Sequence, residues 1–440
     1  MADGFSRRSP GRPSGPQAPL RPRGDAGAPD SAGRMMPITH AGPLPWVQLR
    51  NAVYHPAIFR KMVGRTDPAA RNGDLVAVYD RDAVRFGTGL LSTQSQYGLR
   101  MLSFNDAPLD ESFLEERIAA ATRLRRDVLK LDAIADAYRL VHAEGDALPG
   151  LIIDRLGDTA VAEVFNFPMF RRAEAIRAAV RKVLADVGVE RVLVRADERV
   201  QRAEGFVMEG ESPGPVAARR ADRQSTIITE NGVRFQIDLT HGHKTGFFCD
   251  QRDNRLRLTQ FTPGAEVLDL CCYSGGFGVY AATLGKAAAV TCVDLDEDAI
   301  ALAQRNANLN NVARSVLSTA HSDVFPYMRQ LQANGKQFDV VVLDPPKLIA
   351  SREEFTEGRA KYFDLNKLAV TLVKPGGMLL TCSCSGLLSP EEFFSVLRGA
   401  PRSSGRRVQV LQSTGPGADH PVMTEAPESA YLKCLWCRIW

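Results

Sequence analysis

Thirteen residues, Glu266-Val-Leu-Asp-Leu-Cys-Cys-Tyr-Ser-Gly-Gly-Phe-Gly278, restrict the possible folds more than any other stretch of the chain. Val267, Leu268 and Leu270 read as a buried strand. The run breaks at Ser274-Gly275-Gly276 and resumes as Phe277, Val279, Tyr280, Ala281, Ala282 and Leu284, a helix expected to end at Gly285. A strand, a glycine turn and a helix make half of a nucleotide site. Glycine lets the backbone approach a ligand closely, and a helix start offers free N–H groups. The G-x-G-x-x-G dinucleotide fingerprint is absent, and no Gly-Lys-Ser/Thr follows, which disfavours a dehydrogenase and a P-loop. Asp269 before the turn argues against a phosphate there and for a cationic or hydroxylic ligand.

Later segments repeat the pattern of an acid at a strand end. Ala289–Asp296 reads as a strand with Asp294 at its end, placed for ribose hydroxyls. Ser315–His321 is a strand followed by Asp323, which also suits the N-cap of a helix over Val324–Leu331. Phe338–Lys347 ends in Asp344-Pro345-Pro346, and Gly376–Ser385 carries Cys382 and Cys384. Residues 406–414 and 430–440 read as an antiparallel closing pair of strands.

In this order, the glycine turn, ribose acid and Asp-Pro-Pro look like a Rossmann-like methyltransferase using S-adenosylmethionine (SAM). From about Gly42 onward the chain resembles the bacterial large-subunit (23S) rRNA cytosine-C5 methyltransferases of the RlmI type. The resemblance rests on Lys244–Arg252, Tyr273–Phe277, Asp344–Lys347, Ser383–Gly386 and Asp419–Val422. It implies an α/β fold: a seven-stranded methyltransferase sheet preceded by a small PUA-like β-barrel and a small α/β linker domain. The expected division is a disordered tail over 1–40, a PUA-like RNA-binding domain over 41–109, a linker domain over 110–224 and the catalytic domain over 225–440. One departure is clear: Cys271 and Tyr273 stand where the common Asp-Leu-Gly-Cys-Gly pattern has glycines.

The bulk properties fit this reading without requiring it. At 440 residues the chain is long enough for two or three cores. No apolar run is long enough for a membrane span. The eight cysteines include the pairs Cys271, Cys272 and Cys382, Cys384, a poor disulfide framework that suggests a reducing cytoplasm. Cys434 and Cys437 form a lone C-x-x-C; on a strand they face opposite ways, so no metal site is expected. A net charge of +4 is compatible with an RNA partner and does not demand one.

Residues 1–35 are rich in Pro, Gly and Arg and read as disordered, so Met35 or Met36 is a candidate start. Trp46–Leu49, Asp74–Tyr79 and Leu99–Leu102 read as strands, and His55-Pro56 with Ile58 and Phe59 as a short helix. Arg50, Arg60, Lys61, Arg65, Arg71, Arg81 and Arg85 are candidate RNA contacts, or simply a solvated surface. Glu111–Leu131 reads as one amphipathic helix. Strands are expected at Ala137–His142, Gly150–Asp154, Thr159–Phe165 and Arg191–Arg195, with a helix over Arg171–Ala185. Ala217–Arg223 reads as a loop, Val233–Leu239 as a strand, and His241 and His243 as non-catalytic loop residues.

The resemblance assigns roles. Asp250, Gln251 and Arg252 would grip the methionine amino and carboxylate groups of SAM. Asp269, Tyr273, Ser274, Gly275, Gly276, Phe277, Asp294, Asp323 and Asp344 would complete the cofactor site. Tyr273 and Phe277 are equally readable as core. Carbon 5 of cytosine is a poor nucleophile until a thiolate adds to carbon 6, which makes cysteine necessary. Cys382 and Cys384 share one face of their strand; the family motif Ser383-Cys-Ser-Gly386 selects Cys384. Asp344 would hold the cytosine edge, with Pro345, Pro346 and Lys347 against the RNA. The Pro-Pro corner is stiff, which suits a flipped base. Amine-directed enzymes place an aromatic after Asp-Pro-Pro, whereas Lys347 follows here. The competing functions are an amine- or guanine-directed RNA methyltransferase and a non-catalytic ribosome-assembly factor. A homodimer would add basic surface.

Overall fold

A computed structural model describes residues 35–39, 42–107, 109–208, 225–239 and 246–440. The expectations for residues 1–34, for Ala217–Arg223 and for His241 and His243 lie outside the described residues.

The N-terminal sheet is built from Trp46–Leu49 (β1), Ala57–Phe59 (β2), Val63–Thr66 (β3), Leu75–Tyr79 (β4), Arg85–Leu91 (β5) and Tyr97–Ser103 (β6). Their order is β2-β6-β5-β4-β1-β3, around a core that includes Val47, Leu49, Ile58, Val76, Val78 and Leu99. The helix expected near Ile58 is instead a strand. Pro56 biases His55 toward extended backbone, and Ile58 turns inward opposite Leu99 while Phe59 faces solvent.

Phe113–Arg123 (α1) is shorter than the helix expected to reach Leu131. It runs into one wide turn, in which Leu129 N–H bonds the Leu124 carbonyl five residues back. Lys130 then takes a left-handed φ of 55°. The wide turn aims Arg125 inward, where its fork holds Asp146 at 2.6 and 2.9 Å.

Ala137–His142 (β7), Leu151–Leu156 (β8) and Thr159–Val164 (β9) form a central sheet. Phe167–Phe170 (α2), Ala173–Val183 (α3), Arg191–Arg195 (β10) and Glu198–Glu204 (α4) follow. The sheet order is β10-β9-β8-β7. Arg172 bridges this region to the N-terminal sheet, donating to the Gly73 carbonyl at 2.9 Å and pairing with Glu111.

Ser225–Glu230 (β11) and Val233–Asp238 (β12) make a hairpin in register from Ser225↔Asp238 to Glu230↔Val233. Its turn, Asn231-Gly232, has both φ values positive, the geometry that matches hairpin twist. Arg252–Leu258 (α5) then leads into the large sheet: Glu266–Leu270 (β13), Gly276–Ala282 (α6), Ala289–Asp294 (β14), Glu297–Leu309 (α7), Leu317–His321 (β15), Val324–Ala333 (α8), Phe338–Leu343 (β16), Phe355–Leu372 (α9), Val373–Ser383 (β17), Pro390–Gly399 (α10), Val408–Thr414 (β18) and Lys433–Ile439 (β19). The order is β15-β14-β13-β16-β17-β19-β18. Six of the seven strands run the same way; β19 inserts antiparallel between β17 and β18. The direction of chain progression reverses between β13 and β16, so a ligand crevice is expected outside their carboxyl ends. Cys434 and Cys437 fall in different core clusters on opposite faces of β19, as alternation along a strand requires.

Candidate active site

The glycine turn sits at the carboxyl end of β13. Gly278 lacks a side chain where a Cβ would lie 2.3 Å from Cys292 Sγ, so α6 packs directly against β14. Gly275 has φ 78°, and Cys271 and Tyr273 have φ 60° and 46°. The two positions where glycine is usual thus keep the glycine backbone with larger side chains. Left-handed geometry costs a residue roughly 1–2 kcal/mol, which the surrounding contacts offset. Tyr273 N–H donates to Asp294 Oδ2 at 2.8 Å, and Asn306 donates to the Ser274 carbonyl at 3.0 Å.

Asp269 is 1% exposed. Its Oδ2 accepts from Gly278 N–H at 2.8 Å, while Oδ1 is buried with no hydrogen-bond partner. Burial pushes the carboxyl up to about 8, and the neighbouring Asp344 and Asp294 charges add to the rise. Burial and the charges of Asp294, Asp344, Asp269 and Asp323 likewise raise the Cys271 thiol. Four carboxylates from four strand ends therefore surround the turn. A site with an orphaned carboxylate oxygen and an excess of negative charge fits a cation, and SAM carries a sulfonium and an ammonium. Asp294 Oδ1 also accepts from Asp296 N–H at 3.0 Å, and Asp323 caps α8 through Phe325 N–H at 2.8 Å.

The segment before α5 meets the same crevice. Gln251 Nε2 donates to Asp344 Oδ2 at 3.0 Å, and Tyr431 Oη donates to Asp250 Oδ2 at 2.5 Å. Arg252, expected as a methionine clamp, is engaged within the chain. Its fork is filled by Asp419, at 2.8 and 3.1 Å, and the side chain is buried. Phe277 is buried in the core cluster that also holds Val279, Val290 and Cys292.

Asp344 follows β16 directly; Pro345 is buried, and Pro346 and Lys347 are exposed. On the neighbouring β17, Cys382 is fully buried and Cys384, just past the strand end, is half-buried. Both belong to the same face, against the cluster containing Cys434. Burial, with the adjacent Cys434, pushes the Cys382 thiol far up, which makes it a poor thiolate. Ser385 anchors the loop: its hydroxyl lies 3.0 Å from Tyr362 Oη and accepts from Ile349 N–H at 3.2 Å. Sequence reasoning missed Lys433, Tyr431 and Tyr362. Lys433, buried at the start of β19, donates to the carbonyls of Ser385 and Tyr431 at 2.6 and 2.7 Å. Its only sequence signal is a lysine opening an apolar strand.

Comparisons with known proteins agree with this geometry. A family model described as S-adenosylmethionine-dependent methyltransferase matches residues 220–412, and a PUA-like domain model matches residues 53–104. A solved structure described as a SAM-dependent methyltransferase from Streptococcus mutans superposes with a TM-score of 0.72 at 21% identity, covering 89% of this chain and 100% of that one; at that identity it speaks for the fold. Proteins named ribosomal RNA large subunit methyltransferase I are closer in sequence. The one from Pseudoalteromonas atlantica is 35% identical over 391 residues, covering 88% of this chain and 95% of the relative. The one from Aeromonas hydrophila is 37% identical over 391 residues, covering 87% and 95%. With an acidic glycine turn, an Asp-Pro-Pro corner and full-length relatives of one kind, this chain belongs to the ribosomal RNA large subunit methyltransferase I family and uses S-adenosylmethionine as its cofactor.

Proposed function

We propose that the protein methylates carbon 5 of a cytosine in large-subunit (23S) ribosomal RNA, with Cys384 as nucleophile. The observation that carries this reading is the pair of Asp344 and Cys384 at the ends of the adjacent strands β16 and β17, beside the acidic turn of β13. The RNA class follows the names of the relatives. The protein divides into a PUA-like RNA-binding part over 41–109, a linker part over 110–224 and a catalytic part over 225–440. Among the described residues no helix is long and apolar enough to cross a membrane; we assign the protein to the cytoplasm, where its RNA is.

Asp269, Asp294, Asp323, Tyr273, Ser274, Gly275, Gly276, Asp250 and Gln251 would hold the cofactor, whose sulfonium, when bound, supplies an electrophilic methyl group. Cys384 adds its thiolate to carbon 6 of a flipped cytosine, which loads electron density onto carbon 5. Asp344 holds the base edge at its ring nitrogen and amine, and Gln251 fixes the carboxylate that does so. Loss of the carbon 5 proton to a base then expels Cys384 and restores the aromatic ring. Pro345 and Pro346 stiffen the corner, and Lys347 meets the RNA backbone.

The test is methyl transfer to unmodified 23S rRNA with the product nucleosides identified by mass spectrometry. 5-Methylcytosine is expected. A methylated exocyclic amine or guanine would remove Cys384 from the reaction, and RNA binding without turnover would make the protein an assembly factor.

A further inference from the structure

Lys433 has no place in the reaction as derived above, yet it is a lysine at 5% exposure beside the reacting loop. An ammonium taken out of water costs several kcal/mol unless a counter-charge compensates it. Its hydrogen-bond partners, the Ser385 and Tyr431 carbonyls, are neutral. They pin the nitrogen and do not neutralise it. One of the two carbonyls belongs to the residue after Cys384.

We propose that Lys433 is a positioning residue that keeps Cys384 in its thiolate form, an inference that rests on Cys384 being the nucleophile. Register supports it: β17 and β19 pair Ser383 with Lys433 and Cys382 with Cys434, so the start of β19 is bound to lie alongside the end of β17. Burial pulls the ammonium down to about 8, and the Cys384 sulfur leads the charges that offset this, ahead of Cys434 and Glu392.

The neighbours named here, Tyr362, Cys382, Asp344 and Glu392, carry no positive charge. Tyr362, from α9, is pushed up to about 12 by burial and stays a neutral hydroxyl. Cys382 is held as a thiol. Asp344, at the end of β16, and Glu392, on α10, are carboxylates that oppose thiolate formation. A cation next to a cysteine lowers its ionisation range. With Lys433 charged, the Cys384 proton leaves to solvent before the base arrives, and the bare sulfur then forms the bond to carbon 6.

The measurement is the rate of Cys384 alkylation by iodoacetamide against pH, with the modified peptide identified by mass spectrometry, on the whole protein. Lys433→Gln removes the charge and keeps two N–H donors. Lys433→Arg keeps the charge. Lys433→Gln is expected to move the alkylation midpoint up by about one unit or more, while Lys433→Arg stays close to the parent. Methyl transfer at neutral pH should fall about tenfold in Lys433→Gln, as one unit implies, and recover as pH rises. An unchanged alkylation midpoint in folded Lys433→Gln overturns the inference. Full activity of Cys384→Ala would instead overturn the nucleophile itself, and the alkylation curve would still report on Lys433.

Discussion

Arg252 and Asp419 form a two-pronged ion pair, at 2.8 and 3.1 Å, with neither side chain more than 1% exposed. Asp419 also accepts from Arg139 N–H at 3.0 Å, and its carbonyl from Arg125 at 2.6 Å. Removing the carboxylate in Asp419→Ala strands a buried guanidinium, and such breaks cost about 3–5 kcal/mol. A loss of that size in the unfolding free energy, read from denaturant titration, is expected; a change under about 1 kcal/mol would show the pair to be dispensable. Burial by itself would raise the Asp419 carboxyl, but His420 and Arg252 outweigh it and hold it far below the ordinary range. Its stabilisation is therefore complete above the unfolded carboxylate range, near pH 4, and declines as pH falls below that. Acid unfolding of the parent should be steeper than that of Asp419→Ala.

Cys384→Ala should lose 5-methylcytosine formation by more than about 10³-fold, as enzymes stripped of their nucleophile do. Cys382→Ser places a hydroxyl in a dry cluster and should act on stability, leaving turnover per folded molecule intact. Equal losses in the two variants would contradict the assignment.

Asp269 predicts a pH dependence of opposite sign to Asp419. Its carboxyl sits up at about 8 without ligand. The stability it confers on the ligand-free protein is present below pH 4 and is lost as pH rises toward 8. A cationic ligand favours the ionised form, so SAM affinity should climb over the same range. Asp269→Asn should weaken SAM binding about 10–100-fold, the worth of one hydrogen bond to a charged group, and flatten its pH profile. Isothermal titration at pH 6 and pH 9 checks both.

On the N-terminal sheet, Phe59 stacks on Tyr97 at 4.7 Å, Lys61 lies over Phe59 and Arg100 over Tyr97. Arg50, Arg60 and Lys61 line an adjoining hollow and are exposed. If they meet phosphates, the triple alanine variant should lower the slope of log affinity against log salt by about 2, near 0.7 per contact. Nucleoside chemistry at the catalytic end should be unaltered once RNA is saturating. An unchanged slope would return these residues to the solvated surface.

Local signals carried the large sheet into view. The apolar runs of β13, β14 and β16 end in acids, and the glycines of the turn sit where the backbone reverses. The pairing of Arg252 was not legible because its partner lies 167 residues further on, and no local pattern announces a contact at that distance. Lys433 was missed for the same reason: its significance depends on β19 inserting beside β17. The strand at Ala57–Phe59 has three residues, too few for periodicity to speak. By contrast β12 was legible as Val233–Leu239, whereas its partner β11 was not read, although Asn231-Gly232 between them is a strong hairpin signal. Cys271 and Tyr273 kept the left-handed backbone of the glycines they replace, which composition alone does not predict.

Bracing between the sheets has one further consequence. Arg172 fastens the N-terminal sheet to the central one, and Arg125 and Arg139 fasten the central one to the Asp419 loop. His55 and Glu428, 2.6 Å apart, close the circuit from the first sheet to the last. If RNA seats on the N-terminal sheet as proposed, these joints set the span between that sheet and Cys384, and target choice would depend on the distance between two features of a folded RNA as well as on local base sequence.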